Sequence, residues 1–91
     1  MQGTPSIAAS QVATSTSAGL LLAARANRRA VWLANVDATN HVFVGADSGV
    51  SAANGFRLKA GDQPIRVVTR DELWAIASAG TPTVALLEEF D

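Results

Sequence analysis

No cysteine and no tyrosine occur among the 91 residues, and histidine and methionine occur once each. Without cysteine there is no disulfide, no thiolate metal site and no cysteine nucleophile, and nothing marks the redox compartment. A metal centre needs three or four convergent ligands. His41 stands alone, and the chain has no phosphate loop and no dinucleotide fingerprint, so neither a metal nor a cofactor is expected. Charge is scarce and nearly balanced, seven basic residues against eight acidic, which favours no polyanion as a partner. Long apolar runs are missing as well. "GLLLAA" (19–24) is far below the roughly 20 residues of a membrane span. The arginines follow that run, the reverse of a secretory leader. The expectation is a soluble protein made in the cytoplasm, with neither membrane nor nucleic acid as partner.

What is present is small and β-prone. Alanine supplies 18 of the 44 residues counted as hydrophobic, so a core must be built from 26 larger ones. Residues 1–24 carry no charge, and the first 18 are mostly Ser, Thr, Gln and Ala. Such a composition buries little by itself. Residues 1–18 are therefore read as an extended N-terminal arm that frays or orders against a neighbour, and 19–91 as one domain. Removal of residues 1–15 is expected to leave that domain folded.

Within the domain, "LLLAARANRRAVWLA" (20–34) reads as strand, turn and strand, because Asn27 and Arg28 fall where a helical apolar stripe should continue. From Ala30 the period is two, with Val31 and Leu33 on one side and Trp32 and Ala34 on the other. "DATN", "ADSG", "ANG", "AGDQP" and "SAGTP" are turn chemistry separating strands at 41–44, 56–59, 65–69, 73–77 and 83–90. Seven to eight short strands between close turns predict an all-β, compact sandwich or jelly-roll-like domain.

The candidate chemical groups are few. "GADSG" (45–49) has the look of a serine-nucleophile turn, but Ala46 interrupts it and the chain cannot supply two barrels and a cleft. His41 reads as a strand-end histidine. Glu88-Glu89 and Asp71-Glu72 alternate faces on strands and are read as surface charge. No catalytic residue is assigned, and an enzyme is not expected. "RANRR" (25–29) is the single basic cluster, too narrow for a nucleic-acid face and suited to an acidic partner surface or to solvent. Arginine outnumbers lysine six to one, which leans towards contact roles. Trp32 and Trp74 are expected in the core, and become the first interface anchors if either lies on an outer face.

The order "NRRAVWLANVDATNHVFVG", "VSAANGFRLKAGD", "TRDELWAIASAGTPTVALLEEF" resembles small structural proteins of tailed bacteriophages and prophages. There an arginine precedes a strand ending in Asn, a Val-x-Val-Gly strand follows, then an Asn-Gly turn with Leu-x-x-Gly, then Leu-(Trp/Tyr)-Ala-Ile-Ala before Gly-Thr. The matching positions are Arg29, Asn35, Val42, Val44, Gly45, Asn54, Gly55, Leu58, Gly61, Leu73 to Ala77, Gly80 and Thr81. The likeness covers residues 25–90 and leaves the first 24 outside. It is a spacing of strand and turn residues, speaks to fold more than to role, and brings no site residue with it. It implies a homotrimeric β-sandwich or jelly-roll component on the capsid exterior, a decoration or cement protein binding across major capsid protein subunits. The alternatives are a tail or head-fibre attachment module and a sugar-binding sandwich. The interface residues proposed from the residues themselves are Ile7, Gln11, Val12 and Thr14 on the arm, Arg25, Arg28 and Arg29 at the turn, and Trp32 and Trp74.

Overall fold

Eight strands in two antiparallel sheets make up the computed structural model, which describes residues 6–61 and 63–91. In the first sheet β1 (Ile7–Ala13), β8 (Thr83–Phe90), β3 (Arg28–Asn35) and β6 (Ile65–Val67) lie side by side in that order. The second holds β2 (Gly19–Leu22), β7 (Leu73–Ala77), β4 (Val42–Gly45) and β5 (Phe56–Leu58). An order of 1-8-3-6 facing 2-7-4-5 is the jelly-roll arrangement, so the predicted all-β sandwich is found.

The period-two pattern decides which side chains meet. Along β8 burial alternates residue by residue, sending Val84, Leu86, Glu88 and Phe90 inward. Val31 and Leu33 do the same on β3, and Val42, Val44, Leu58 and Leu73 answer from the second sheet. The turn between β7 and β8 passes through Gly80 at φ +65°, a left-handed conformation that glycine adopts without a Cβ penalty.

Four expectations are revised. The arm is in large part a strand: β1 pairs with β8 over Ile7–Ala13, and Thr14 docks on Pro82 through both its N–H (2.9 Å) and its hydroxyl (2.7 Å). Residues 1–5 of the expected arm lie outside the described residues. Removing residues 1–15 would therefore strip a strand from the first sheet and take Val12 from beside the core. Glu88 is not surface charge, because its strand face points into the sandwich and it is buried. Arg28 is buried with it. Both tryptophans lie on outer faces, since each alternates with inward neighbours on its strand: Leu33 beside Trp32, Leu73 and Ala75 beside Trp74.

A buried polar residue stands at each end of β3. Arg28, 0% exposed, donates from Nε to the Thr69 carbonyl (3.0 Å) and from Nη2 to the Asp71 carbonyl (2.6 Å). Its Nη1 donates to the Ala23 carbonyl (2.9 Å) and to Glu88 Oε2 (3.0 Å). These partners join β8 to the two loops that flank the second sheet's β2 and β7. At the other end Asn35 donates from Nδ2 to the carbonyls of Asn40 and Leu58, each at 2.9 Å, and accepts from the Asp37 N–H (3.0 Å). Among the described residues no buried side-chain polar atom lacks a partner.

Neighbouring arginines should then differ sharply in mutation. Arg28→Ala leaves Glu88 buried without its close partner and should cost about 3–5 kcal/mol in urea unfolding. Arg29→Ala removes an exposed pair with Asp91 and should stay within about 0.5 kcal/mol. Similar urea midpoints for the two variants would remove the structural role assigned to Arg28.

Candidate functional site

The outer faces of both sheets are where the chain departs from an ordinary sandwich, whose outward positions are polar. On the first sheet the outward residues are Ile7, Ala9, Gln11 and Ala13 of β1, Thr83, Ala85, Leu87 and Glu89 of β8, Trp32 and Ala34 of β3, and Arg66 of β6. Most of these side chains are apolar. Ile7 is 66% exposed and Trp32 38%. On the second sheet Leu20, Trp74, Ile76 and Phe43 face outward together, with Arg57 beside Phe43.

Each tryptophan is held by a carboxylate. Trp32 Nε1 donates to Glu89 Oε2 (2.7 Å), and Arg66 grips the same carboxylate with Nε on Oε2 (3.1 Å) and Nη2 on Oε1 (3.0 Å). The cause is register: β3 and β6 place Trp32 opposite Arg66, and Glu89 projects from the outer face of the adjacent strand β8. The Arg66 hydrogen bond first, and the Trp32 bond second, hold the Glu89 carboxyl below its ordinary value. Trp74 Nε1 donates to Glu72 Oε2 at 2.6 Å on the second sheet.

Beside Trp32 runs a shallow groove of about 320 Å³, lined by Trp32, Ala34, Pro64, Ala85 and Leu87 with the backbone of Leu33 and Leu86 beneath. Beside it Trp32 Nε1, Glu89 and Arg66 are engaged with one another. A sugar ring stacked there would find an aromatic floor whose indole N–H is already spent, whereas an apolar side chain would be well matched. A second apolar cleft, about 530 Å³, opens between the β5 and β6 edges, where Phe56 and Val68 stand exposed at its mouth and Leu33, Val44 and Leu73 form its depth.

The other proposed interface residues separate by burial. Arg28 and Thr14 are buried and spent on internal bonds, which withdraws them from any surface, and Val12 packs against the core. Ile7, Gln11, Arg25 and Arg29 are exposed. Arg25 nevertheless lies with its guanidinium carbon 5.5 Å from the Phe90 ring centre and its Nε 3.7 Å from Glu88 Oε2. The arginine turn therefore clamps the end of β8, so its exposed side chains are already engaged. His41 Nδ1 accepts the Ala60 N–H (3.3 Å), as expected of a strand-end histidine. Sequence reasoning missed the outward Leu20, Phe43, Ile76 and Leu87. Alternation alone leaves open which side of a strand faces inward when both sides are apolar.

Glu89 yields a pH prediction. A carboxyl whose folded value lies below the ordinary 4.5 contributes stability above its unfolded value, and loses it as pH falls through the folded one. The Glu89 carboxyl resonance should titrate below 4.5, and the Trp32 indole N–H shift should follow with the same midpoint. In Arg66→Ala the Glu89 midpoint should move back up. An indole shift indifferent to pH would separate Trp32 from Glu89.

No family model matches the chain, and no curated protein is similar to it. Among solved structures it is similar to the Bacillus endospore appendages described as a family of disulfide-linked pili. The TM-score is 0.58 and the identity 12%, over 96% of this chain and 86% of that one. This likeness concerns the fold, and a chain without cysteine has no counterpart to the disulfide link.

Proposed function

We propose that this chain is a non-catalytic structural subunit of a phage virion that decorates the capsid by binding across major capsid protein subunits. The observation that carries the reading is the apolar outer face of the first sheet, with Trp32 fixed on it by Glu89, which Arg66 holds in turn. Support also comes from the resemblance of residues 25–90 to phage structural proteins. The shared fold with an appendage described as a pilus agrees with a part whose work is contact area.

The first sheet is the stronger platform because its three long strands, of seven, eight and eight residues, lie side by side, while no strand of the second exceeds five. At about 3.4 Å per residue and about 4.8 Å between strands, that patch measures roughly 350 Å². Stable interfaces use roughly 800 Å² per partner. One copy alone therefore binds weakly, and many copies on a lattice act together through avidity. Binding to the assembled shell and not to free subunits stabilises the shell by mass action.

A second reading, a tail or head-fibre attachment module, gains from the likeness to a pilus. The test is co-sedimentation with tailless capsids and, separately, with purified tails of the phage or prophage that encodes the chain. Capsid binding is expected, and Trp32→Ala should weaken it about tenfold to thirtyfold, roughly 1.4–2 kcal/mol, as loss of an ordered aromatic anchor does. Binding to tails alone would replace decoration with the attachment reading. Capsid binding unaffected by Trp32→Ala would move the contact off this face.

A further inference from the structure

Among the described residues four strands have a free edge, and three of them are blunted. β2 has four residues and a register break between Leu20 and Leu22. β5 has three residues, with Arg57 within and Lys59 following. β6 has three, with Pro64 before and Arg66 within. Short length, charge, proline and bulges are the devices that stop a sheet edge from pairing with another chain. β1, "IAASQVA", has none of them: seven residues, no charge, no proline, no glycine and no shift in its register with β8.

The groups it offers can be named. Ser6 and Thr14 extend the β1–β8 register at its two ends, where Phe90 N–H donates to the Ser6 carbonyl (2.8 Å) and Thr14 N–H to the Pro82 carbonyl (2.9 Å). Bonded and non-bonded pairs alternate in an antiparallel ladder. Ala8, Ser10 and Val12 therefore bond to β8, while Ile7, Ala9, Gln11 and Ala13 turn their N–H and C=O groups to the open edge.

We infer that this edge pairs, antiparallel and about a two-fold axis at Ser10, with β1 of a second copy of the chain. Length selects the occupant, since the other free edges of the described chain are three or four residues long and only another β1 matches seven. Chemistry agrees. Centred on Ser10, the pairing sets Ile7 opposite Ala13 of the second copy and Ala9 opposite Gln11, so every outward backbone group of β1 is bonded and no charges meet. The register keeps Ile7, Ala9, Gln11 and Ala13 on one face. The apolar outer faces of the two first sheets then run together across eight strands, doubling a platform too small to bind firmly alone. The contact is isologous and closes at two copies, in place of the trimer expected from the resemblance. It does not depend on capsid binding.

The absence of cysteine makes a direct test possible. In the pairing, Ser10 meets Ser10 of the second copy as a non-hydrogen-bonded pair, with Cα atoms about 4.5 Å apart, inside the range a disulfide accepts. Ser10→Cys should form a disulfide dimer on mild oxidation at least tenfold faster than Ala38→Cys, placed on an exposed loop. Sedimentation equilibrium up to about 1 mM should show a monomer–dimer equilibrium for the unmodified chain. Ala9→Pro deletes an edge donor without touching the β8 ladder; it should abolish the dimer and, at dilutions where the unmodified chain is monomeric, leave the urea midpoint unchanged. A monomer at about 1 mM, equal cross-linking rates for the two cysteine variants, or an oligomer that survives Ala9→Pro would each overturn the proposal.

Discussion

A guanidinium with no solvent exposure must find acceptors for its donors, and the way Arg28 does so organises this sandwich. Its acceptors come from the segment after β2, the segment between β6 and β7, and β8, so one side chain joins both sheets at one end. Asn35 does the corresponding work at the far end of β3, reaching Leu58 on the second sheet. Between them lies a modest apolar core in which the largest fully buried side chain is Arg28 itself. A buried ion pair adds little net stability against a well-packed apolar substitute. Its effect here is geometric, because an arrangement that moved β3 out of register would leave Glu88 buried and unpaired.

The strand order is a consequence of alternation combined with these two polar anchors. Residues 28–35 and 83–90 read as strands because their apolar residues recur every second position, and the turns between them carry Gly, Asn and Asp. That much was legible. β1 was not, because "IAASQVA" has small residues on both faces and hence no contrast between them. Its place is set by backbone pairing to β8 and by Thr14 on Pro82, neither of which leaves a mark in hydropathy. The arginine cluster misled for a related reason. Three arginines within five residues look like one solvated face, yet a register shift between Arg28 and Ala30 turns Arg28 inward while Arg29 stays outside. The resemblance matched Arg29, the outer of the two, whereas the arginine that ties the fold is its neighbour.

The candidate surface was legible only in part, and the tryptophans show why. A Trp between Val31 and Leu33 on one side and Leu73 and Ala75 on the other sits in apolar sequence whichever way it points. The inward places on these strands went to Val31, Leu33, Leu73 and Ala75, which are smaller than an indole and fill the space between the sheets together with other leucines and valines. Two indoles would overfill it, so they face outward and their N–H groups bond to Glu89 and Glu72. Such a bond fixes the ring, and an aromatic side chain ordered in advance would lose less freedom on meeting a partner.

Core, faces and edges therefore support one another. A chain that fills its core with leucine and valine and leaves both tryptophans on outer faces keeps apolar area that closing on itself does not bury. The three blunted edges restrict where another strand can add, and the unblunted one borders the broadest apolar face. A sheet extended through that edge would gain platform area without new core, which suits a domain with little core to give. Its individual contacts can then stay weak. On a repeating lattice, rebinding of each copy is favoured by its bound neighbours, and the sum of modest contacts sets the strength of the assembly.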